Sequence, residues 1–281
     1  MTSVARRAAL ALPALLPSLV LGARPALALV LPERITQGML VIGRAPRGTR
    51  AAAFDGRPVR VSPEGTLAFG IARDAGPEAT ITLTGPDGRP EARRVAVVPR
   101  HWDVQRLNGL PDRLVTPNAD ALARIRAEQE RLNAARRTDT PVPHFAEGFA
   151  WPATGRISGI YGSQRILNGQ PRAPHLGLDV AVPTGTPLVA AGAGRVTLVE
   201  DLYFTGGTVL IEHGHGVTTF YAHMSRMDVR EGQEVGRAQP IGLSGATGRV
   251  TGPHLHLALF WFNVALDPHP ALPGGATDGW R

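Results

Sequence analysis

Apolar positions in this chain come mostly in short runs of β type. From about Ile35 to Val98, segments rich in valine, isoleucine, threonine and alanine are punctuated by Pro46-Arg47-Gly48, Asp55-Gly56, Pro63-Glu64-Gly65 and Pro86-Asp87-Gly88. Proline presets the entry angle of such turns and glycine accepts positive φ, so this rhythm predicts a small antiparallel β-domain over residues 29–105. One stretch has the other period. Thr116-Pro117 reads as an N-cap followed by proline at the first helical position. After it, Leu122, Ile125, Gln129 and Leu132 share one stripe, with Arg124, Arg126, Glu128, Arg131 and Arg136 mainly around the rest. A helix over about 117–137 is expected, inside a linker of 106–143 that Thr140-Pro141-Val142-Pro143 closes. From Trp151 the β rhythm returns. Strands are expected at 157–161, 178–182, 188–198, 208–212, 217–222 and 235–243, and from His254 onward. The predicted fold is therefore mainly β, with two antiparallel β-domains, the second over 144–281, joined by a helical linker.

The last of these strands also carries chemistry. His-Leu-His-Leu-Ala-Leu-Phe-Trp-Phe from His254 has a period of two, so His254 and His256 leave one face with α-carbons roughly 6.6 Å apart while Leu255, Leu257, Leu259 and Trp261 pack behind. A second stretch, His175-Leu176-Gly177-Leu178-Asp179, offers an imidazole and a carboxylate. Fully extended, His175 and Asp179 would be roughly 13 Å apart, so the chain must bend between them for both to reach one ion. Gly177 is the expected place of that bend. Imidazole and carboxylate ligands without thiolate, with one coordination position left open, suit a catalytic zinc, and hydrolysis is the chemistry such a site would serve. The other histidines read as structural: His101 stands alone beside Trp102, and His213-Gly214-His215-Gly216 reads as a hairpin turn.

Composition narrows the class. The 281 residues contain no cysteine, which excludes disulfides, thiolate metal sites and a lipidated N-terminal cysteine. Arg6 and Arg7 precede an apolar run from Ala8 to Leu21, and Ala26-Leu27-Ala28 is a small-x-small cleavage pattern, so residues 1–28 are expected to be a secretory signal. Pro13 and Pro17 argue against a buried helix there, and the run is too short to span a bilayer. Whether the paired arginines indicate the twin-arginine route stays open. The formal net charge of +7 favours acidic partners, and no nucleic-acid motif is present. The expected destination is the periplasm or another exported location, with no membrane insertion once the signal is removed.

Three blocks, taken as a set, carry a family resemblance. Gly177-Leu178-Asp179-Val180-Ala181-Val182-Pro183-Thr184-Gly185-Thr186-Pro187, Tyr221-Ala222-His223-Met224-Ser225 and Gly252-Pro253-His254-Leu255-His256 resemble, in order, the signatures of the LytM/lysostaphin-type zinc metalloendopeptidases, over roughly Trp151 to Pro268. The resemblance implies a groove on a β-sheet and hydrolysis of peptide crosslinks in peptidoglycan, with stem peptides as the partner and the chain acting as a monomer. It also implies one zinc ion held by His175, Asp179 and His256. His254 and His223 match the histidines that bind or activate water at the metal and stabilise developing charge. Tyr161 and Arg165 match a region near the groove and are expected to bind substrate, with Asn168–Pro174 as a rim loop. His213 and His215 fall outside the metal sphere. Some exported relatives in Gram-negative bacteria carry a small β-domain and a helical linker ahead of the catalytic part, which suggests that residues before Pro141 restrain activity. Two other functions fit the same family: a non-enzymatic amidase activator, which usually lacks the metal ligands, and a zinc protease acting on proteins.

Overall fold

A computed structural model describes residues 29–108 and 118–275. The expected signal segment, Thr116 and Pro117 lie outside the described residues. The fold is mainly β. In the N-terminal part, Leu40–Arg44 pairs with Thr66–Gly70, and Arg57–Val59, Ala51–Phe54, Glu78–Thr84 and Pro90–Ala96 form a four-stranded antiparallel sheet. The C-terminal part is built on an eight-stranded antiparallel sheet. Its order runs Glu234–Val235, Gly194–Leu202, Gly206–Glu212, Val217–Met224, Leu255–Trp261, Leu178–Ala181 and Arg156–Gly159, with Val264–Leu266 paired to Leu255–Trp261.

Two of the expected strands are each broken in two. The run 188–198 divides into Pro187–Val189 and Gly194–Leu202, and 235–243 into Glu234–Val235 and Pro240–Leu243. Both breaks fall at one place, where Ala190 N–H donates to Gln239 O and Ala238 N–H to Ala190 O, and where Ala238 has φ +64°. There the chain leaves the large sheet for a small one made of Pro187–Val189, Pro240–Leu243 and Arg226–Met227. A run of apolar residues reads the same whether its strand stays in one sheet or passes between two.

The helix spans Ala119–Arg136, capped by Asn118, whose side chain accepts from Ala121 N–H at 2.9 Å. Its buried face coincides with the predicted stripe only in part. Leu122 is exposed, whereas Glu128 and Leu132 are buried. Glu128 accepts from Tyr203 N–H at 2.9 Å and pairs with Arg124, and the Arg136 guanidinium lies 3.9 Å over the Phe260 ring. The sheet face beneath offers aromatic rings and a backbone donor. Charged side chains with long apolar stems satisfy such a surface better than a purely aliphatic stripe would.

One continuous core joins the two β-regions. Phe54 stacks on Phe69 at 4.3 Å and meets Trp261 edge-on at 6.1 Å, while a Cβ on Gly70 would come within 2.9 Å of Leu266 and Trp261. Thr140, at the end of the linker, is held by Glu212, which accepts from its hydroxyl at 2.6 Å, and by His215, whose N–H donates to Thr140 O.

His213 has a structural task of its own. Its Nδ1 donates to Ala193 O at 2.7 Å, leaving Nε2 to accept from Thr219 Oγ1 at 2.7 Å, and Thr219 lies 3.0 Å from the Tyr221 hydroxyl, which takes Ala191 N–H. Burial pushes the pKa of His213 down to about 4, against roughly 6.5 in an unfolded chain. Between those values the unfolded state binds a proton that the folded state refuses, so stability falls as pH drops through that window. The expected loss from pH 7 to pH 4 is on the order of 3 kcal/mol from this residue. Urea unfolding across this range should show a shallower pH slope for His213→Asn than for the parent chain; equal slopes would contradict the assignment.

Candidate metal centre

The register of the large sheet assembles the site. Asp179 stands directly opposite His256 on one side and Gly159 on the other. A Cβ at Gly159 would lie 2.3 Å from Asp179 Oδ2, so glycine there leaves the carboxylate its space. His175 precedes the Leu178–Ala181 strand, and the chain bends at Gly177 as expected. The reason for glycine is not the predicted one, however. Gly177 is not among the positive-φ residues; a Cβ there would instead sit 2.5 Å from His256 Cε1 and 2.6 Å from His256 Nε2. Gly177→Ala is therefore expected to push the His256 ring out of place and weaken metal binding roughly 10- to 100-fold. Zinc titration against a chromogenic chelator would measure this, and an unchanged affinity would refute it.

His175 Nε2, His256 Nδ1 and Asp179 Oδ1 form a triangle with edges of 3.0, 2.8 and 3.0 Å. All three residues are at least four-fifths hidden from solvent at the side chain. His175 Nδ1 donates to Ile160 O at 3.0 Å, so in the neutral ring Nε2 is a bare lone pair 3.0 Å from a carboxylate oxygen. Two acceptors facing each other at that distance require a cation or an added proton between them. The donor set fits a cation that accepts imidazole and carboxylate, of which zinc is the usual one with three protein ligands. Burial would raise the pKa of Asp179, but the imidazoles of His175 and His256 against it outweigh that and hold the carboxyl well below its ordinary value. Burial pushes His256 down to about 4, keeping its ring neutral, as a metal ligand must be.

His254 and His223 complete the cleft. His254 precedes the Leu255–Trp261 strand, bridged to Gly245, and its Nδ1 donates to Gly252 O at 2.9 Å, with Nε2 lying 3.7 Å from Asp179 Oδ1. His223 Nδ1 donates to Thr247 O at 2.8 Å, and its ring centroid is 4.7 Å from that of His254. Burial, then the neighbouring His256 and His254, push its pKa down to about 3. His223 has φ +63°, a left-handed conformation that costs a residue with a side chain about 1–3 kcal/mol and collects at functional sites. The 245–253 loop thus orients both histidines. It is seated by Thr247 Oγ1, which accepts from Gly207 N–H and donates to Met224 O. That orienting role had no motif to announce it, since Thr247 acts through a carbonyl that every residue possesses.

The cleft around these groups encloses about 600 Å³. Arg165 lines it, with Nη2 3.5 Å from Asp179 Oδ2. Tyr161 does not. It is 1% exposed, donates its hydroxyl to Ala265 O at 2.8 Å and packs edge-on against Trp102 at 5.7 Å. The expectation that it binds substrate is corrected: the side chain points into the core joining the two β-regions. Arg172 and Arg249 also line the cleft. His213 and His215 lie outside it, as expected.

An antiparallel sheet presents a carboxylate and four imidazoles in one cleft, the donor set that a metallopeptidase centre would need. Residues 173–268 match the model of peptidase family M23, and the chain carries an M23 peptidase domain. It is 47% identical over 105 residues to peptidoglycan DD-endopeptidase ShyA of Vibrio cholerae, covering 37% of this chain and 24% of that protein. It is 32% identical over 201 residues to an uncharacterized metalloprotease of Haemophilus influenzae, covering 70% of this chain and 37% of that one. The chain thus spans about a quarter to two fifths of these curated relatives. A crystal structure of a candidate peptidase M23 from Pseudomonas aeruginosa superposes with a TM-score of 0.64 at 29% identity, covering 84% of this chain and 93% of that one.

Proposed function

We propose that this chain is a zinc-dependent endopeptidase that hydrolyses peptide crosslinks of peptidoglycan in the periplasm or another exported location, using one zinc ion. The observation that carries this reading is the triangle of His175, Asp179 and His256 at hydrogen-bond distances, with two further imidazoles turned toward it. The names of the ShyA, ShyB and ShyC relatives support peptidoglycan as the substrate and a DD-crosslink as the bond. Among the described residues no helix is long and apolar enough to cross a membrane.

Zinc, when bound, would polarise the scissile carbonyl and make water acidic enough to attack near neutral pH. His175, Asp179 and His256 would hold it, with the Ile160 carbonyl fixing the tautomer of His175. His254 and His223 each carry their proton on Nδ1, pinned to a backbone carbonyl, so each presents Nε2 to the cleft as an acceptor. In that tautomer His254 can receive the proton of the attacking water at Nε2. Once protonated, the same nitrogen is the donor that the departing amine needs. His223, held neutral by its burial, is suited to accept a hydrogen bond from water and orient it. Incubating the zinc-loaded chain with purified crosslinked sacculi should release new amino termini in crosslink peptides, identified by mass, and a chelator should stop the release. Absence of such products would refute the proposed activity.

A further inference from the structure

His175 is held in place by a short loop that the N-terminal part of the chain grips. Residues 160–163 lead from the Arg156–Gly159 strand to Gln164–Leu167. Three hydrogen bonds tie them to His175: Gly162 N–H donates to His175 O at 2.7 Å, His175 N–H to Ser163 O at 2.8 Å, and His175 Nδ1 to Ile160 O at 3.0 Å. Wherever this loop sits, one ligand of the metal triangle sits with it.

The loop meets residues from far earlier in the chain. Arg73, just past the Thr66–Gly70 strand, donates from Nε at 2.9 Å and from Nη2 at 2.7 Å to the one carbonyl oxygen of Gly162. Its Nη1 donates to Asp74 at 2.5 Å, and its side chain is only 14% exposed, so water competes poorly for the fork. Trp102 closes on Gly162 as well: a Cβ there, at φ +86°, would lie 2.0 Å from Trp102 Cε3. The Trp102 ring has Tyr161 edge-on against it and the guanidinium groups of Arg73 and Arg100 at 5.0 and 4.6 Å. One residue further along, Gln164 N–H donates to Asp103 O at 2.7 Å, and Gln164–Leu167 pairs in parallel with Val104–Leu107.

Most of these contacts would join the two β-regions wherever they fell. The Arg73 fork differs in what it grips. Gly162 has no side chain through which packing could fix it, yet its N–H holds the backbone of His175. Hydrogen bonds from a charged donor are roughly twice as strong as neutral ones, and two of them on one oxygen fix its place and its plane. A metal ligand must be held to within about 0.5 Å of its productive position, and the groups behind the ligands do that holding.

We infer that Arg73 is a positioning residue of the metal centre: by gripping Gly162 it fixes the 160–163 loop, and with it the place and tautomer of His175, so that the N-terminal β-region raises the affinity of the C-terminal site for its metal. This rests on the metal reading of His175, Asp179 and His256 but not on the substrate. Zinc affinity of the full chain is read against a chromogenic chelator, and the ligand arrangement from the visible absorption of the cobalt(II)-loaded chain. Arg73→Gln should bind zinc about 10-fold more weakly and shift the cobalt(II) bands, as outer groups of metal sites do. Arg73→Lys keeps a charged donor without the fork and should fall between. Arg60→Gln is the control, since it removes a fork from the same β-region whose partner, Asp139 at 2.9 Å, is on the linker instead of the loop. It should match the parent chain in both readouts. Parental affinity and bands in a folded Arg73→Gln protein would overturn the inference, and so would an equal loss in Arg60→Gln, which would mean general loosening. If Arg73→Gln does not fold, Arg73→Lys decides: parental affinity and bands overturn the inference, and a loss in both supports it. A parent chain that binds no zinc removes the metal reading and this inference with it. One that binds zinc without cutting sacculi removes the endopeptidase reading alone.

Discussion

Replacing His256 by alanine should abolish hydrolysis and release the metal together. His256 Nδ1 stands 2.8 Å from Asp179 Oδ1 and 3.0 Å from His175 Nε2, so its loss leaves two groups where three converge. Two protein ligands hold zinc far more weakly than three, and the remaining Asp179 would be a buried carboxylate deprived of one of the bonds that offset its burial. The expected result is metal content below one tenth of the parent's after dialysis, and activity on sacculi at least about 10⁴-fold lower. The folded sheet should survive, because Leu255, Leu257 and Leu259, which pack behind, are untouched. Parental zinc content in a folded His256→Ala protein would remove this residue from the ligand set.

The second large effect separates chemistry from binding. His254 is not needed to close the triangle: its Nε2 lies 3.7 Å from Asp179 Oδ1 and its Nδ1 is spent on Gly252 O. His254→Ala should keep its zinc yet lose about 10²- to 10⁴-fold in kcat, the usual range for a general acid–base group, equivalent to about 3–5 kcal/mol of barrier. The split should appear as a fall in kcat with KM little changed, since the missing group acts on the proton in flight. A variant with parental kcat would assign the proton transfer elsewhere, and His223 would be next, its Nε2 also turned to the cleft by the bond from Nδ1 to Thr247 O.

The amino-acid pattern already contained the mainly β architecture, because turn residues between short apolar runs admit few alternatives. It also contained the convergence of His254 and His256, since side chains two apart on extended chain share a face, and the need for a bend near Gly177, since four residues overshoot one ion. The helix between the β-regions was visible from its length and position, although its cap is Asn118 and not Thr116. Its buried face was visible only at Leu132, because Glu128 is buried and Arg136 half-buried by partners that lie at Tyr203 and Phe260. Spacing within a helix reports which residues share a face, and not what that face will meet.

Tertiary structure alone decided the rest. Tyr161 and Arg165 look alike in sequence as polar residues ahead of His175, yet one donates to Ala265 O inside the core and the other reaches Asp179 in the cleft. Arg249 joins the cleft across more than seventy residues of chain from Arg172, a meeting fixed by sheet order. The sequence determined which groups could do chemistry and which neighbours on one strand would point together, for those follow from the covalent geometry of the backbone. Which tautomers the histidines adopt, why Gly177 and Gly159 must lack a side chain, and that the arginines line the cleft were settled by strand register and packing. These are relations between residues distant in the chain, and only the folded sheet brings them within the few ångströms at which hydrogen bonds and charges act.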